Sequence, residues 1–163
     1  MNDATPSASP TALDRLATVA TALSAGGLAG MVLVQAWQVV ARYLLNDSPS
    51  WTEPLTLVLL STTLSFGAAA GVHARSHFAF PLLVRMMPIP AQRALARLSA
   101  ALIVGIGGLL AVGGAQLLLD GLAVKMAGAP LPQGITFLPL CAGGALMAVF
   151  ALPQLRRPTI EAN

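Results

Sequence analysis

Residues 16–41 read LATVATALSAGGLAGMVLVQAWQVVA and contain no Asp, Glu, Lys or Arg. Three further stretches share this property, at residues 54–74, 98–119 and 126–155. A helix needs about 20 predominantly apolar residues to cross the roughly 30 Å hydrocarbon core of a bilayer. Each stretch is long enough, so the sequence predicts a membrane protein with four transmembrane helices.

The overall composition supports the same fold class. Charged residues make up 9% of the chain, whereas soluble domains carry about 25%, so we expect an all-α integral membrane protein without a separate soluble domain. A membrane domain over residues 11–157 would follow a disordered tail at 1–10 and precede a short tail at 158–163, both cytoplasmic. The predicted helices cover about 16–44, 53–74, 94–119 and 135–155.

The basic residues predict the orientation of these helices. With a cytoplasmic N-terminus, seven of the nine Lys and Arg residues fall in cytoplasmic segments, and only Arg42 and Lys125 fall outside. Such a bias follows the positive-inside rule, so both termini are predicted to be cytoplasmic. The same distribution argues against nucleic-acid binding, which would require a basic cluster on one folded surface. The seven are Arg15, Arg75, Arg85, Arg93, Arg97, Arg156 and Arg157.

The predicted helices lack the features of a catalytic or transporting site. Carriers usually have ionisable residues within their spans and internal sequence repeats. Here no Asp, Glu, Lys or Arg lies near the middle of a span, and no internal repeat is evident. His73 and His77 share one helical face and could hold a metal or haem, but we favour interfacial side chains because no third histidine is present. Cys141 is interpreted as a packing residue. We therefore predict no cofactor, no metal and no enzymatic activity.

Small and polar residues form a face on each predicted helix that is suited to packing. These faces are interpreted first as holding the four helices to one another; because a four-helix bundle rarely needs so many, contact with a second membrane protein is kept as the alternative. Helix one carries Ser24, Met31, Gln35, Gln38 and Arg42 on one stripe and a GxxxG pair at Gly26 and Gly30; helix two carries Glu53, Thr56, Thr63, Gly67 and Gly71; helix three carries Gly105, Gly108, Gln116 and Asp120; helix four carries CAGGA at 141–145.

The segments that join the helices carry local signals. Arg42 and Glu53 face each other across a short hairpin, which predicts an ion pair at the outer membrane surface. Trp51 follows this turn at the depth of an interfacial aromatic. Residues 78–88 are apolar but too short to span, so they predict a segment lying along the cytoplasmic face. Thr11 and Asp14 predict a capping box at the start of helix one.

Three stretches of the chain resemble a known family. They read ARYLLNDSPSWTEPL at 41–55, FGAAAGVHARSHF at 66–78 and FLPLCAGGALMAVF at 137–150. Together they are similar to the small, DctQ-type permease subunit of tripartite ATP-independent periplasmic (TRAP) transporters, over about residues 15–155. The chain departs from the family pattern at one point, because Glu53 is followed by Pro54 and not by a second acidic residue. The positions that match are Arg42, Tyr43, Trp51, Glu53, Gly67 to Ala69, His77, Pro139, Gly143 and Gly144.

The resemblance implies a role in solute uptake across a bacterial inner membrane. In such systems a periplasmic binding protein delivers a solute, often an organic acid, to a large and a small membrane subunit driven by an ion gradient, usually sodium. The small subunit would brace the large permease and help to dock the binding protein. The alternative is a stand-alone or homo-oligomeric four-helix exporter. Candidate contact residues for the partners are Gln35, Gln38, Arg42, Tyr43, Trp51, Glu53, Gly67, Gly71 and His77.

Overall fold

A computed structural model describes residues 11–47, 49–74 and 88–156 of the chain. The fold is all-helical over these residues, and four of its helices are long and apolar enough to span a membrane. The predictions for the tails at 1–10 and 158–163, for most of the interfacial segment at 78–88, and for His77 fall outside the described residues. The helices are α1 (Ala12–Leu44), α2 (Thr52–His73), α3 (Ile89–Gly121), a short 3-10 helix (Gln133–Phe137) and α4 (Leu138–Arg156).

The start of each helix follows from its local sequence. The predicted capping box opens α1, where the backbone N–H of Thr11 donates to the Asp14 carboxylate at 2.9 Å. Helix α3 starts at Ile89, before the membrane span predicted from about 94, and Pro90 lies in its first turn as its sequence indicates, where the missing N–H costs no hydrogen bond. Pro139 likewise occupies the first turn of α4, directly after the 3-10 helix, where its missing N–H is not needed.

The four long helices form a row in the order α1, α2, α4, α3. Helix α1 packs on α2, α2 packs on α4, and α4 packs on α3. Most of each helix is unburied in the described fold: 17% of the apolar window is buried in α1 and in α2 and 11% in α3, against 33% in the last span. The row therefore leaves long apolar surfaces on both edges, as expected for contact with lipid or another membrane protein.

Helix α4 holds the row together through two adjacent glycines. A Cβ on Gly143 would lie 2.8 Å from the carbonyl oxygen of Ser65 in α2, and a Cβ on Gly144 would lie 2.7 Å from the backbone nitrogen of Ala111 in α3. Such distances leave no room for a side chain, so the backbones approach as closely as in small-residue membrane packing. The CAGGA stretch thus contacts helices on both sides.

We call the end of the row with the loops 45–51 and 122–132 the hairpin end, and the opposite one the terminal end. A buried apolar cluster lies toward the terminal end and joins three helices. It includes Ala17 of α1, Ala69 and Val72 of α2, and Phe150 and Ala151 of α4. Gln154 reinforces this contact, because its amide donates to the Val72 carbonyl at 3.0 Å.

Candidate functional site: a polar cleft between two helices

A cleft of about 600 Å³ opens between α1 and α2 toward the hairpin end. Five of the nine residues that the sequence singled out as candidate contact residues line it. The α1 wall carries Gln35, Gln38, Val39, Arg42 and Tyr43, and the α2 wall carries Glu53, Thr56 and Leu57.

Helical periodicity places these side chains on one wall each. Gln35, Gln38 and Arg42 are separated by three and four residues, the spacing that aligns side chains along one face of a helix. Glu53 and Thr56 are three residues apart on α2 and face the same cleft. Because Arg42 lies in the last turn of α1 and Glu53 in the first turn of α2, both charges sit at the mouth of the cleft.

The predicted ion pair between Arg42 and Glu53 does not form. Among the described residues, the ion pair within 4.0 Å joins His73 to Asp14, and the side chains of Arg42 and Glu53 remain separate on opposite walls. Both residues are exposed, and an exposed pair gains little from direct contact while it loses side-chain freedom. The cleft therefore presents a cation and an anion that are unpaired among the residues that the structure describes.

Trp51, Gly67 and Gly71, the other predicted contact residues that the structure describes, lie away from the cleft lining. Trp51 is the N-cap residue of α2 and is 45% exposed, as an interfacial aromatic would be. Gly67 contacts α1 of the same chain, since a Cβ there would lie 2.8 Å from the hydroxyl oxygen of Ser24. Gly71 is half-buried near the end of α2, and His77 is outside the described residues.

On α1 and α3, a neighbour of a glycine singled out in the sequence makes the close contact. On α1, a Cβ on Gly27 would lie 2.7 Å from the Thr63 hydroxyl oxygen, whereas Gly26 has open space around it. On α3, Gly107 packs on α4 while the predicted Gly105 and Gly108 face open space. Gly26 and the α3 face with Gly105 and Gly108 therefore do not pack within the described fold, which leaves contact with another membrane protein as the interpretation for these glycines. On α3, lipid and protein neighbours are equally apolar, so the sequence offers little signal for how this helix is rotated.

A polar contact at the terminal end was also missed. Nε2 of His73 lies 3.1 Å from Oδ1 of Asp14, and the His73 ring packs against Phe150 with centroids 5.1 Å apart. The contact joins the last turn of α2 to the first turn of α1, which are separated by nearly the whole hairpin. The antiparallel pairing of α1 and α2 was the signal that could have suggested it.

The two loops at the hairpin end are connected to each other. The Ser50 hydroxyl donates to the carbonyl oxygen of Gly128 at 3.2 Å, and Gly128 has a φ of +84°, which favours glycine. The backbone N–H of Met126 donates to the carbonyl oxygen of Leu131 within the second loop, and the backbone N–H of Gln133 donates to the carbonyl oxygen of Val124, each at 2.9 Å. The hairpin end is therefore an organised surface beside the mouth of the cleft.

Comparison with known proteins bears on this four-helix arrangement. Residues 10–160 match the family model described as "Tripartite ATP-independent periplasmic transporters, DctQ component". The chain belongs to the DctQ family. The match covers all four long helices, so this member of the family is a multi-pass membrane protein of a transport system.

A curated relative of this DctQ family member is the sialic acid TRAP transporter small permease protein SiaQ of Vibrio cholerae serotype O1. The two are 30% identical over 87 residues, which is 53% of this chain and 50% of the relative. The match thus spans about half the length of the curated relative. It supports the resemblance to small permease subunits that the three sequence stretches had indicated.

Proposed function

We propose that this chain is the small membrane subunit of a TRAP-type secondary transporter in a bacterial inner membrane. It braces a large permease subunit and helps to dock a periplasmic solute-binding protein for ion-gradient-driven uptake, with an organic acid as the expected solute. The observation that carries the proposal is the DctQ family match over residues 10–160. The relative SiaQ is named a small permease protein, which agrees with the role proposed for this chain.

The unburied edges of the row support contact with a membrane partner. Within the described fold, Gly105, Gly108 and Gly113 of α3 have open space where a Cβ would stand. Glycines on an exposed helix face allow another helix to approach closely. We therefore propose α3 as the edge that the large permease covers, and we do not carry Gly67 into this surface because α1 already occupies its open side.

The organised hairpin end supports docking of the binding protein. If both termini are cytoplasmic, as the arginine distribution predicts, the linked loops and the exposed Tyr43 and Trp51 face the periplasm. Reporter fusions test this orientation directly. We expect cytoplasmic signals for fusions at residues 88 and 163 and periplasmic signals at 48 and 128, and the reverse pattern would overturn the docking proposal.

Reconstitution separates the proposed subunit from the stand-alone exporter. Liposomes that contain only this chain, with an ion gradient and the cognate binding protein, should show no uptake. Adding the large permease should give uptake that depends on solute-loaded binding protein. The reason is that no span carries an ionisable side chain near its middle, where coupling sites of carriers usually lie. Uptake or export by the isolated chain would favour the exporter.

Paired glycine variants test the proposed partner edge. Gly105→Leu and Gly108→Leu should release the large permease during detergent purification while leaving the thermal unfolding of the isolated chain unchanged, because these positions face open space. The matched variant Gly107→Leu should unfold the isolated chain instead, since a Cβ there would lie 2.9 Å from the Ala148 nitrogen. Retention of the permease by both open-face variants would remove α3 from the interface.

A further inference from the structure

The mouth of the cleft carries two opposite charges that no described side chain neutralises. Arg42 and Glu53 line the same cleft but lie beyond ion-pairing distance of one another. Neither makes a side-chain hydrogen bond to another residue within 11–47, 49–74 and 88–156. A separated cation and anion on facing walls complement a ligand that carries both signs, because each charged group gains a charge-assisted hydrogen bond.

These charges lie at the level of lipid headgroups. The uncharged stretch of α1 ends at Ala41, so Arg42 marks the point where the helix leaves the hydrocarbon core. Tyr43 lines the same cleft and Trp51 begins α2, which places two aromatic residues at this depth. Tyr and Trp concentrate at the membrane interface. The zwitterion most abundant at that depth is the headgroup of a phospholipid.

The cleft also changes in polarity with depth as a phospholipid does. From the 1.5 Å rise per residue, Gln38 lies about 6 Å and Gln35 about 10 Å deeper than Arg42 along α1. Their amide groups make no hydrogen bond within the described part of the chain, and an amide donor in apolar surroundings is costly unless it finds an acceptor. Ester carbonyls lie below the phosphate of a phospholipid, and Val39 and Leu57 offer apolar contact to acyl chains.

We propose that the cleft binds a phospholipid whose headgroup carries a phosphate and a primary ammonium, as in phosphatidylethanolamine. The Arg42 guanidinium holds the phosphate, for which its planar fork is suited. The Glu53 carboxylate accepts hydrogen bonds from the ammonium. Gln38 and Gln35 donate to the ester carbonyls below. Phosphatidylglycerol fits less well, because its glycerol headgroup leaves the Glu53 carboxylate without a cation and adds a net negative charge beside it.

Native mass spectrometry of the full-length chain in detergent tests the proposal. The protein is titrated with phosphatidylethanolamine or phosphatidylglycerol, and the first bound lipid is counted. We expect phosphatidylethanolamine to bind about tenfold more tightly, the difference that one hydrogen bond to a charged group makes. Glu53→Gln should bring the two lipids close to equal affinity, whereas Arg42→Gln should weaken the binding of both.

Two matched variants serve as controls for charge. Asp120→Asn and Lys125→Gln remove an exposed anion and an exposed cation near the hairpin end without altering the cleft lining, so both should keep the wild-type preference. Slow thiol labelling of Cys141, the single cysteine of the chain, shows that each variant remains folded. Equal affinity of the wild-type chain for both lipids, or an unchanged preference in Glu53→Gln, would overturn the proposal. Loss of large-permease binding in the cleft variants without any change in lipid binding would assign the cleft to a protein segment instead.

Discussion

The contact between α3 and α4 is closed along its length, whereas the contact between α1 and α2 opens into a cleft at one end. On α3, Gly107 and Gly114 bring the backbone against α4, where Gly144 and Cys141 face them. On α1, Gly27 allows a comparably close approach to α2, but Gln35 and the polar residues beyond it line an open space. Small residues repeated along a helix thus close a contact, and long polar side chains hold it open.

The largest expected effect is at the closed contact. In Gly114→Leu the new Cβ would lie 2.8 Å from the backbone nitrogen of Cys141, which cannot rotate away. We expect the free energy of unfolding to fall by about 3 kcal/mol or more, which is at the upper end for overpacked sites. Since Cys141 lies in this contact, its rate of labelling by a thiol-reactive dye should rise sharply.

The neighbouring glycine provides the control for this experiment. Gly113 has open space around it, so Gly113→Leu should leave Cys141 labelling at the wild-type rate. The two variants share the same gain in helix propensity, so the difference between them isolates packing. Equal labelling in both variants would show that the contact between α3 and α4 is looser than described.

A smaller effect is expected at the packed part of the contact between α1 and α2. In Gly27→Leu the nearest atom to the new Cβ is the Thr63 hydroxyl oxygen at 2.7 Å, and the Leu59 carbonyl follows at 3.2 Å. Because the hydroxyl can rotate, we expect the free energy of unfolding to fall by about 2 kcal/mol. Thermal unfolding followed by circular dichroism measures this change. Gly26→Leu, on the open side of α1, should leave the stability nearly unchanged. If Gly26→Leu were the more destabilising of the two variants, the packed and open faces that we assign to α1 would have to be exchanged.

A double-mutant cycle tests the same contact between α1 and α2 in more detail. The Ser24 hydroxyl donates to the Thr63 carbonyl at 2.9 Å, and Ser24→Ala should cost about 0.6 kcal/mol, typical of hydrogen bonds between membrane helices. Gly67→Ala should be destabilising in the wild-type chain, because its Cβ would lie 2.8 Å from the same hydroxyl oxygen. Removing that oxygen should relieve the clash, so the two changes should be non-additive. Strict additivity would show that the residues do not touch.

The smallest effect is expected where α1 and α2 meet at the terminal end. Asp14→Asn removes the charge that faces His73 but keeps an oxygen for the capping box at Thr11. Because this contact is exposed, the change in unfolding temperature should be slight. In a chain that already carries His73→Gln, Asp14→Asn should not change the unfolding temperature. A persistent effect in that background would assign it to the helix cap alone.

The sequence predicted the number of spans and one shared face for Gln35, Gln38 and Arg42, but neither the cleft that they line nor the rotation of every helix. Charge-free length alone identifies a membrane helix, and the spacing of Gln35, Gln38 and Arg42 placed them correctly on one face. The choice between Gly26 and Gly27 was missed, although Gly27 lies closer than Gly26 to the polar stripe of α1 on the helical wheel, which was the signal that could have indicated it. The separation of Arg42 from Glu53 was likewise hidden, since it depends on the width of the cleft between two helices.

The order of the row also has a consequence for biosynthesis. Helix α4 follows the other three long helices in the described chain, yet its Gly143 and Gly144 contact helices on both sides. The α1–α2 hairpin can pair early, but α3 has only α4 as its main neighbour. A chain interrupted before residue 138 would therefore hold one paired hairpin and one solitary span, and membrane quality control would meet two unjoined parts until α4 is inserted.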